Sequence, residues 1–343
     1  MESYSGTLPM HFVLNLFQGV RLDVARRKKL LLQAGIPFFV LEEPAGRVTI
    51  EQFARFYRLL VNELDDETPG FFSSPLKGGT LKFLCLALMD APNLHIALKR
   101  YCQFFHLLCD DLAYQLEVDS RQATLRFTEN KQLQGHRVLV HELMLKLVHG
   151  IASWLIAEKI LPMSIDCAYQ QPQHSSEYLY FYPGSVCFNQ PWTAFSFDRS
   201  LLSRPLRRTR TDLGPFLKRA PADWIYVSFS DSLLAHRVRD YLSVPGNEAC
   251  SLAEVADALH RSVRTLSRRL ALEGTKFQTV KDEVRRDLAV KKLTSEEIPL
   301  IALAQLLGFE DLPSFNRAFK NWTGSTPGTY RRSRANKNSS LRR

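Results

Sequence analysis

The sequence predicts a mixed α/β domain followed by an all-α domain that uses one two-helix unit twice. Three observations predict it. Short apolar–polar alternations are interleaved with helix-spaced apolar stripes through residues 1–198. From Asp231 onward the spacing is wholly helical. Within that last part, two segments match each other at an offset near 49 residues, which implies one supersecondary unit used twice.

Helices are expected over 11–34, 50–66, 80–89, 93–109 with Asn93 as cap, and 138–160. AYQLEVD (113–119) and ATLRFTE (123–129) alternate around a short polar break and predict a hairpin. SIDCAYQ (164–170), EYLYFYP (177–183), VCFNQ and AFSF (194–197) read as further short strands. These segments define an α/β domain over 1–198. Residues 199–230, rich in Arg and Pro, read as a basic solvated linker with short ordered pieces, and 231–343 as the helical domain.

A chain of 343 residues suits about two domains, at roughly 100–200 residues each. Apolar residues make up 45%, enough to bury a core. No run approaches the roughly 20 apolar residues of a membrane span. The N-terminal stretch has neither a basic segment nor a cleavage site of the secretory kind. A cytoplasmic protein with no membrane partner is expected. The six cysteines, without a CxxC, read as reduced thiols. No GxSxG, P-loop or GxGxxG is present, so no catalytic residue is named and no enzyme is expected. His106, His141 and His149 lack the Cys or carboxylate spacing of a metal site, and no metal or cofactor is expected.

Charge is uneven. Residues 1–198 carry 18 Lys+Arg against 20 Asp+Glu, net −2, while 199–245 are net +5 and 246–343 net +7. A basic C-terminal third on a slightly acidic body points to a polyanionic partner for that third.

In the first copy of the repeat, SLAEVADALHRSVRTLSRRLALEGTKF (251–277), Ser251 and Glu254 form a capping box. Leu252, Val255, Ala256 and Leu259 make an inward stripe. His260 and Arg261 turn the chain, Ser262 caps the second helix, and Gly274 ends it. Val263, Leu266 and Leu270 are expected to face in, and Arg264, Ser267 and Arg268 out. In the second copy, PLIALAQLLGFEDLPSFNRAFKNWTGSTP (299–327), Ile301, Leu303, Ala304 and Leu307 supply apolar contacts, Gly308 turns, and Asp311 caps. Phe315, Phe319 and Trp322 are expected to be buried, leaving Pro313, Asn316, Arg317 and Lys320 outside. Pro327 to Arg332 can form a last short helix.

These are tandem helix-turn-helix motifs. The second helix of such a motif fits the DNA major groove, where Arg pairs with guanine acceptors and Asn with adenine. Arg268 and Arg317 occupy equivalent positions, as do Ser267 and Asn316. FQTVKDEVRRDLAVKKL (277–293), with its stripe Phe277, Val280, Val284, Leu288, is a linker helix about 25 Å long. With flanking turns it can hold two readers in successive grooves about 34 Å apart.

GFEDLPSFNRAFKNWTGSTPGTYR closely resembles the signature of the AraC/XylS family of bacterial transcription regulators, through Gly308, Phe309, Phe315, Arg317, Phe319, Lys320, Gly324, Pro327, Tyr330 and Arg331. SRRLALEGTKFQTVKDEVRRDLAVKKL resembles members with an arabinose-binding-type N-terminal domain, the ornithine-utilisation (OruR-like) regulators among them. The resemblance implies a transcription factor, usually an activator. Its expected partners are double-stranded promoter DNA, RNA polymerase, a small-molecule effector and a second copy of the chain. It implies first-reader contacts from Val263, Arg264, Ser267 and Arg268, and second-reader contacts from Leu312, Pro313, Asn316, Arg317 and Lys320.

Ala302 and Leu303 depart from the polar residue that the family often keeps there. With Leu312 and Pro313 also apolar, the second reader is expected mostly to position the protein. In the N-terminal domain the strongly apolar helices over 98–115 and 141–159 offer Phe105, His106 and Trp154 as effector-pocket candidates or as plain core. A domain that only dimerises, or an enzymatic module tethered to DNA, remains the alternative.

Overall fold

Alternation over 112–129 becomes a hairpin, and the helix-spaced stripes become helices, although the one expected over 11–34 is broken between Leu16 and Val24. The computed structural model describes residues 6–38, 41, 43, 45–182, 185–225 and 233–331. In chain order, β1 (Thr7–Pro9) and α1 (His11–Leu16) are followed by α2 (Val24–Ala34), β2 (Arg47–Thr49) and α3 (Ile50–Leu64). Next come α4 (Thr80–Met89), α5 (Leu94–Leu108), β3 (Leu112–Val118), β4 (Gln122–Glu129) and α6 (Arg137–Ile156). Then β5 (Ser164–Asp166), α7 (Tyr178–Phe181), β6 (Ser185–Cys187) and β7 (Thr193–Asp198) precede α8 (Arg210–Arg219) and α9 (Ala222–Ile225). The C-terminal part holds α10 (Leu234–Ser243), α11 (Leu252–Ala258), α12 (Val263–Leu272), α13 (Phe277–Ser295), α14 (Leu300–Leu306) and α15 (Leu312–Thr323). Residues 327–331 are again helical, and Arg332, expected in that last helix, lies outside the described residues.

The chain divides into two compact units. A sheet unit comprises Leu14–Leu22 and Tyr57–Phe229, and a helical unit comprises Met1–Val13, Asp23–Phe56 and Ser230–Arg343.

The sheet unit is organised on five strands in the order β3-β4-β7-β5-β6, antiparallel except for the β5–β6 pair. Register places Leu125 opposite Leu116 on one side and Phe195 on the other. Leu125, Phe127, Phe195 and Phe197 are fully buried on this sheet. Tyr101 and Phe105 of α5 join Tyr114 and Phe127 in an aromatic cluster with ring centroids about 5 Å apart.

Helix α6 is 20 residues long and contains an 18-residue window with a mean hydropathy of 1.3, enough by length and composition to cross a membrane, but 94% of that window is buried within the protein. It is the unit's central packing helix. Of residues 177–183, expected as a strand, Glu177 ends a short 3-10 turn (Ser175–Glu177) and Tyr178–Phe181 form α7, while Pro183 lies outside the described residues. Tyr178 of α7 and Tyr182 just after it both reach Glu142 of α6, the Tyr182 hydroxyl donating to the Glu142 carbonyl at 3.1 Å. That tertiary bonding overrides the local β preference of aromatic residues. The basic stretch after residue 198 holds short ordered pieces: α8 starts on a Thr209–Asp212 capping box, and Phe216 and Trp224 are buried while Arg204, Arg207, Arg210, Lys218 and Arg219 are exposed.

In the helical unit, β1 pairs antiparallel with β2, Leu8 opposite Val48. Asp287 of α13 accepts hydrogen bonds from Thr7 of β1 and Arg239 of α10, and from Arg286 at 3.1 Å. Arg47 of β2 reaches Thr7 Oγ1 at 2.6 Å and stands 3.9 Å from Asp287. Its backbone N–H donates to the Tyr330 hydroxyl at 3.0 Å.

Candidate functional site: two reading helices and a cavity

The two copies of the repeat have matching backbones. Helix α11 begins on the Ser251–Glu254 capping box, buries Val255 and Ala256, and leaves Leu252 and Leu259 half-buried. His260 follows in the left-handed region at φ 53°; its counterpart Gly308 after α14 has φ 72°. The closing bonds also correspond: Arg261 N–H to the Ala256 carbonyl at 2.8 Å, and Phe309 N–H to the Ala304 carbonyl at 2.9 Å. Glycine is required at 308, because a Cβ there would lie 2.6 Å from the Ala249 Cβ. Ser262 and Asp311 then cap α12 and α15 by accepting from Thr265 N–H and Ser314 N–H. Gly274 and Gly324 follow these helices at φ 76° and 75°.

On α12, Leu266 and Leu270 are fully buried while Arg264, Ser267 and Arg268 are exposed. Val263, expected inward, is 44% exposed, because it is the first helical residue and precedes the packed turn. On α15, Phe315 and Phe319 are fully buried; Pro313, Arg317 and Lys320 are exposed, and Leu312 and Asn316 half-buried. Trp322, expected on the buried face, is half-buried against Phe309, with centroids 6.0 Å apart, and Thr323 takes the interior position. A 3.6-residue period continued from 315 and 319 falls between these two. On α14, Leu303, Ala304 and Leu307 are buried, but Ile301 is 60% exposed on the opposite side of this short helix. Arg317 Nη2 donates to Ser314 Oγ at 3.0 Å. Linker helix α13 buries Val280 and Val284 as its stripe requires, with Leu288 half-buried.

The sheet unit contains a cavity of about 300 Å³. Phe105 lines it, but His106 is exposed outside it. Trp154 is not among the lining residues; it stacks on Phe216 at 4.3 Å. Tyr57, Leu76, Met144 and Trp224 also form the walls. Sequence reasoning missed them because they come from four separate segments, and only the isolated Trp224 in APADW stands out locally.

The other two histidines noted above are in hydrogen bonds. His141 lies between Thr193 Oγ1 at 2.6 Å and Glu129 at 2.8 Å, and His149 Nε2 is 2.7 Å from the Ile160 carbonyl. Burial lowers the His149 pKa to about 3, so this ring is neutral and its Nε2–H donates. Burial also pushes the thiols of Cys85 and Cys167 up to about 12 and Cys102 to about 11, leaving them protonated at neutral pH. Among the described residues no group of His, Cys, Asp and Glu is arranged to hold a metal ion.

Two capped helices, each seated on a preceding helix through a left-handed turn and carrying exposed arginines, define a tandem helix-turn-helix DNA-binding regulator. Residues 25–206 match the family described as the arabinose-binding domain of AraC transcription regulators, N-terminal, and residues 255–333 match a helix-turn-helix domain family. The chain belongs to the AraC family of transcription regulators. It is 30% identical over 303 residues to the ornithine utilization regulator of Pseudomonas aeruginosa, covering 85% of this chain and 86% of that protein. The regulator VirS of Mycobacterium tuberculosis is 32% identical over 151 residues, 43% of each chain. The crystal structure of the regulator CdpR from Pseudomonas aeruginosa aligns over 94% of this chain and 97% of its own, at 19% identity and a TM-score of 0.33.

Proposed function

We propose that this regulator is an effector-controlled activator that binds promoter DNA as a homodimer and acts on RNA polymerase in the bacterial cytoplasm, without catalysis of its own. The observation that carries the DNA-reading part is the exposure of Arg264, Ser267 and Arg268 over the buried Leu266 and Leu270. Anchored leucines orient the helix, and the outward row meets base edges and phosphates.

In this reading α12 is the main reader. On α15, Leu312, Pro313, Asn316, Arg317 and Lys320 face the second groove and contribute mostly to positioning. The family's arabinose-binding-type domain supports small-molecule control through the sheet unit.

The test is to map binding sites across the source genome, then titrate full-length protein on the strongest site with metabolites of the neighbouring operon. Effector control requires a change in operator affinity or in transcription, since linkage ties the two binding events together. A full-length protein indifferent to every such metabolite would instead favour a sheet unit that only dimerises.

A further inference from the structure

The sheet-unit cavity has features that DNA reading does not use. Its volume of about 300 Å³ holds about ten non-hydrogen atoms at ~30 Å³ for each water-sized group. Val61, Leu84, Phe105, Met144 and Leu147 make its walls apolar. Most polar groups on the wall are already bonded within the protein. The Tyr57 hydroxyl donates to the Glu67 carbonyl at 2.8 Å, and Thr68 Oγ1 bonds Asp66 at 3.0 Å. The Glu67 carboxylate accepts from the backbone N–H groups of Gly79 and Leu81 at 2.7 and 2.6 Å.

Trp224 is the exception. Its side chain lines the cavity and is 3% exposed, yet its indole N–H has no acceptor among the described residues. A buried donor without a partner is costly, and such groups call for an explanation. The indole is also firmly seated. At Gly150 of α6 a Cβ would lie 2.5 Å from the Trp224 Cβ, so only the bare backbone admits α9 this closely. The Tyr57 ring stands edge-on to the indole at 6.2 Å. The next residue, Arg58, lines the same cavity and donates to the Ala220 carbonyl at 2.8 Å. Arg58 and Trp224 are thus both lining residues of the cavity. Lys82 adds a second exposed cation to the lining.

We propose that this cavity binds a compact apolar monocarboxylate, its body against Phe105 and Met144, its oxygen accepting from Trp224 Nε1–H, and its charge met by Arg58 and Lys82. Glu67, which also lines the cavity, disfavours a second carboxylate. The inference rests on the reading of the sheet unit as the sensing unit, and it names the ligand class.

The experiment uses full-length protein and three eight-carbon probes: octanoate, octan-1-ol and octylammonium, with binding followed by calorimetry and by tryptophan emission. Octanoate should bind saturably and at least tenfold more tightly than either other probe. Lys82→Gln and Arg58→Gln, at exposed positions, should each remove most of that preference, and Trp224→Phe should weaken octanoate severalfold. Filling the space with Leu147→Trp should abolish binding of all three. Equal binding of the three probes, or octanoate binding unchanged by Leu147→Trp in a folded variant, would overturn the assignment. The two readings fail separately. Specific octanoate binding with no effect on operator affinity removes effector control but keeps the site. Operator control by another metabolite that persists in Leu147→Trp keeps effector control and removes the site.

Discussion

Arg239 of α10 and Asp287 of α13 form a buried ion pair, and the N-terminal strands close over the same carboxylate through Thr7 and Arg47. Burial alone would raise the Asp287 pKa. Arg286, Arg239 and Arg47, with the Thr7 hydroxyl, instead hold it at about 2, below its ordinary 3.8. Residues that precede most of the sheet unit in sequence thus belong structurally to the unit that carries α12 and α15.

Asp287→Asn should therefore destabilise the helical unit by about 3 kcal/mol, because it leaves buried guanidinium groups without their counter-charge. Since the folded-state pKa is depressed, the carboxylate stabilises the fold above pH 3.8 and that contribution is lost as pH falls toward 2. The lost contribution is roughly 2 kcal/mol, one pKa unit being 1.36 kcal/mol. Urea denaturation of wild type and variant between pH 2 and pH 6, as a difference, isolates it. An isolated 230–343 fragment lacks Thr7 and Arg47 and should be less stable than the same residues in the full chain.

Gly308 and Gly274 separate two costs of a missing Cβ. Both lie at positive φ, but a Cβ at 308 would meet Ala249 at 2.6 Å, whereas at 274 nothing lies within 4 Å. Gly274→Ala should cost about 1 kcal/mol of backbone strain. Gly308→Ala adds overpacking and should cost about 3 kcal/mol in all. Thermal melts of the two variants give the difference directly, and equal shifts would argue against the close approach at Ala249.

The reading helices predict a division between affinity and specificity. If Arg268 pairs with a guanine, Arg268→Ala should cost about 1–3 kcal/mol on the operator and little on random DNA. Lys320→Ala should weaken both alike and flatten the salt dependence by about one ion. Asn316→Ala and Arg317→Ala should shift base preference little in a binding-site selection. A strong shift would make α15 a true reader.

Lys146 sets a pH dependence for the sheet unit. Burial lowers its pKa to about 7 from 10.5, against an opposing pull from Glu142, and its ammonium group lies 4.5 Å from the Tyr182 ring centroid. Between pH 7 and 10.5 the unfolded chain holds this proton more tightly than the fold, so the group's contribution to stability rises with pH. Lys146→Met should remove that slope and narrow the difference from wild type as pH rises. Melting curves at pH 7, 8 and 9 check it.

Local features were legible from the residues alone. Asn93, Ser251, Ser262 and Asp311 cap the helices read from them, and the hairpin at 112–129 pairs as its alternation requires. The repeat exposes Arg268 and Arg317 at matching positions. Capping, periodicity and turn chemistry act over a few residues, so neighbouring side chains encode them. Long-range partners were not legible. β1 and β2 have three residues each, too few to show alternation, and the Thr7–Asp287 bond spans 280 positions. Tyr178 at the start of α7 and Tyr182 just after it both bond Glu142, and Gly150 lets Trp224, a cavity wall, approach α6 closely. The sequence by itself determined the longer elements, α12 and α15 among them, but not β1, β2 or α7. Tertiary packing decided which distant residues share a charge, a hydroxyl or an empty space, because closing such loops costs chain entropy that only the assembled core repays.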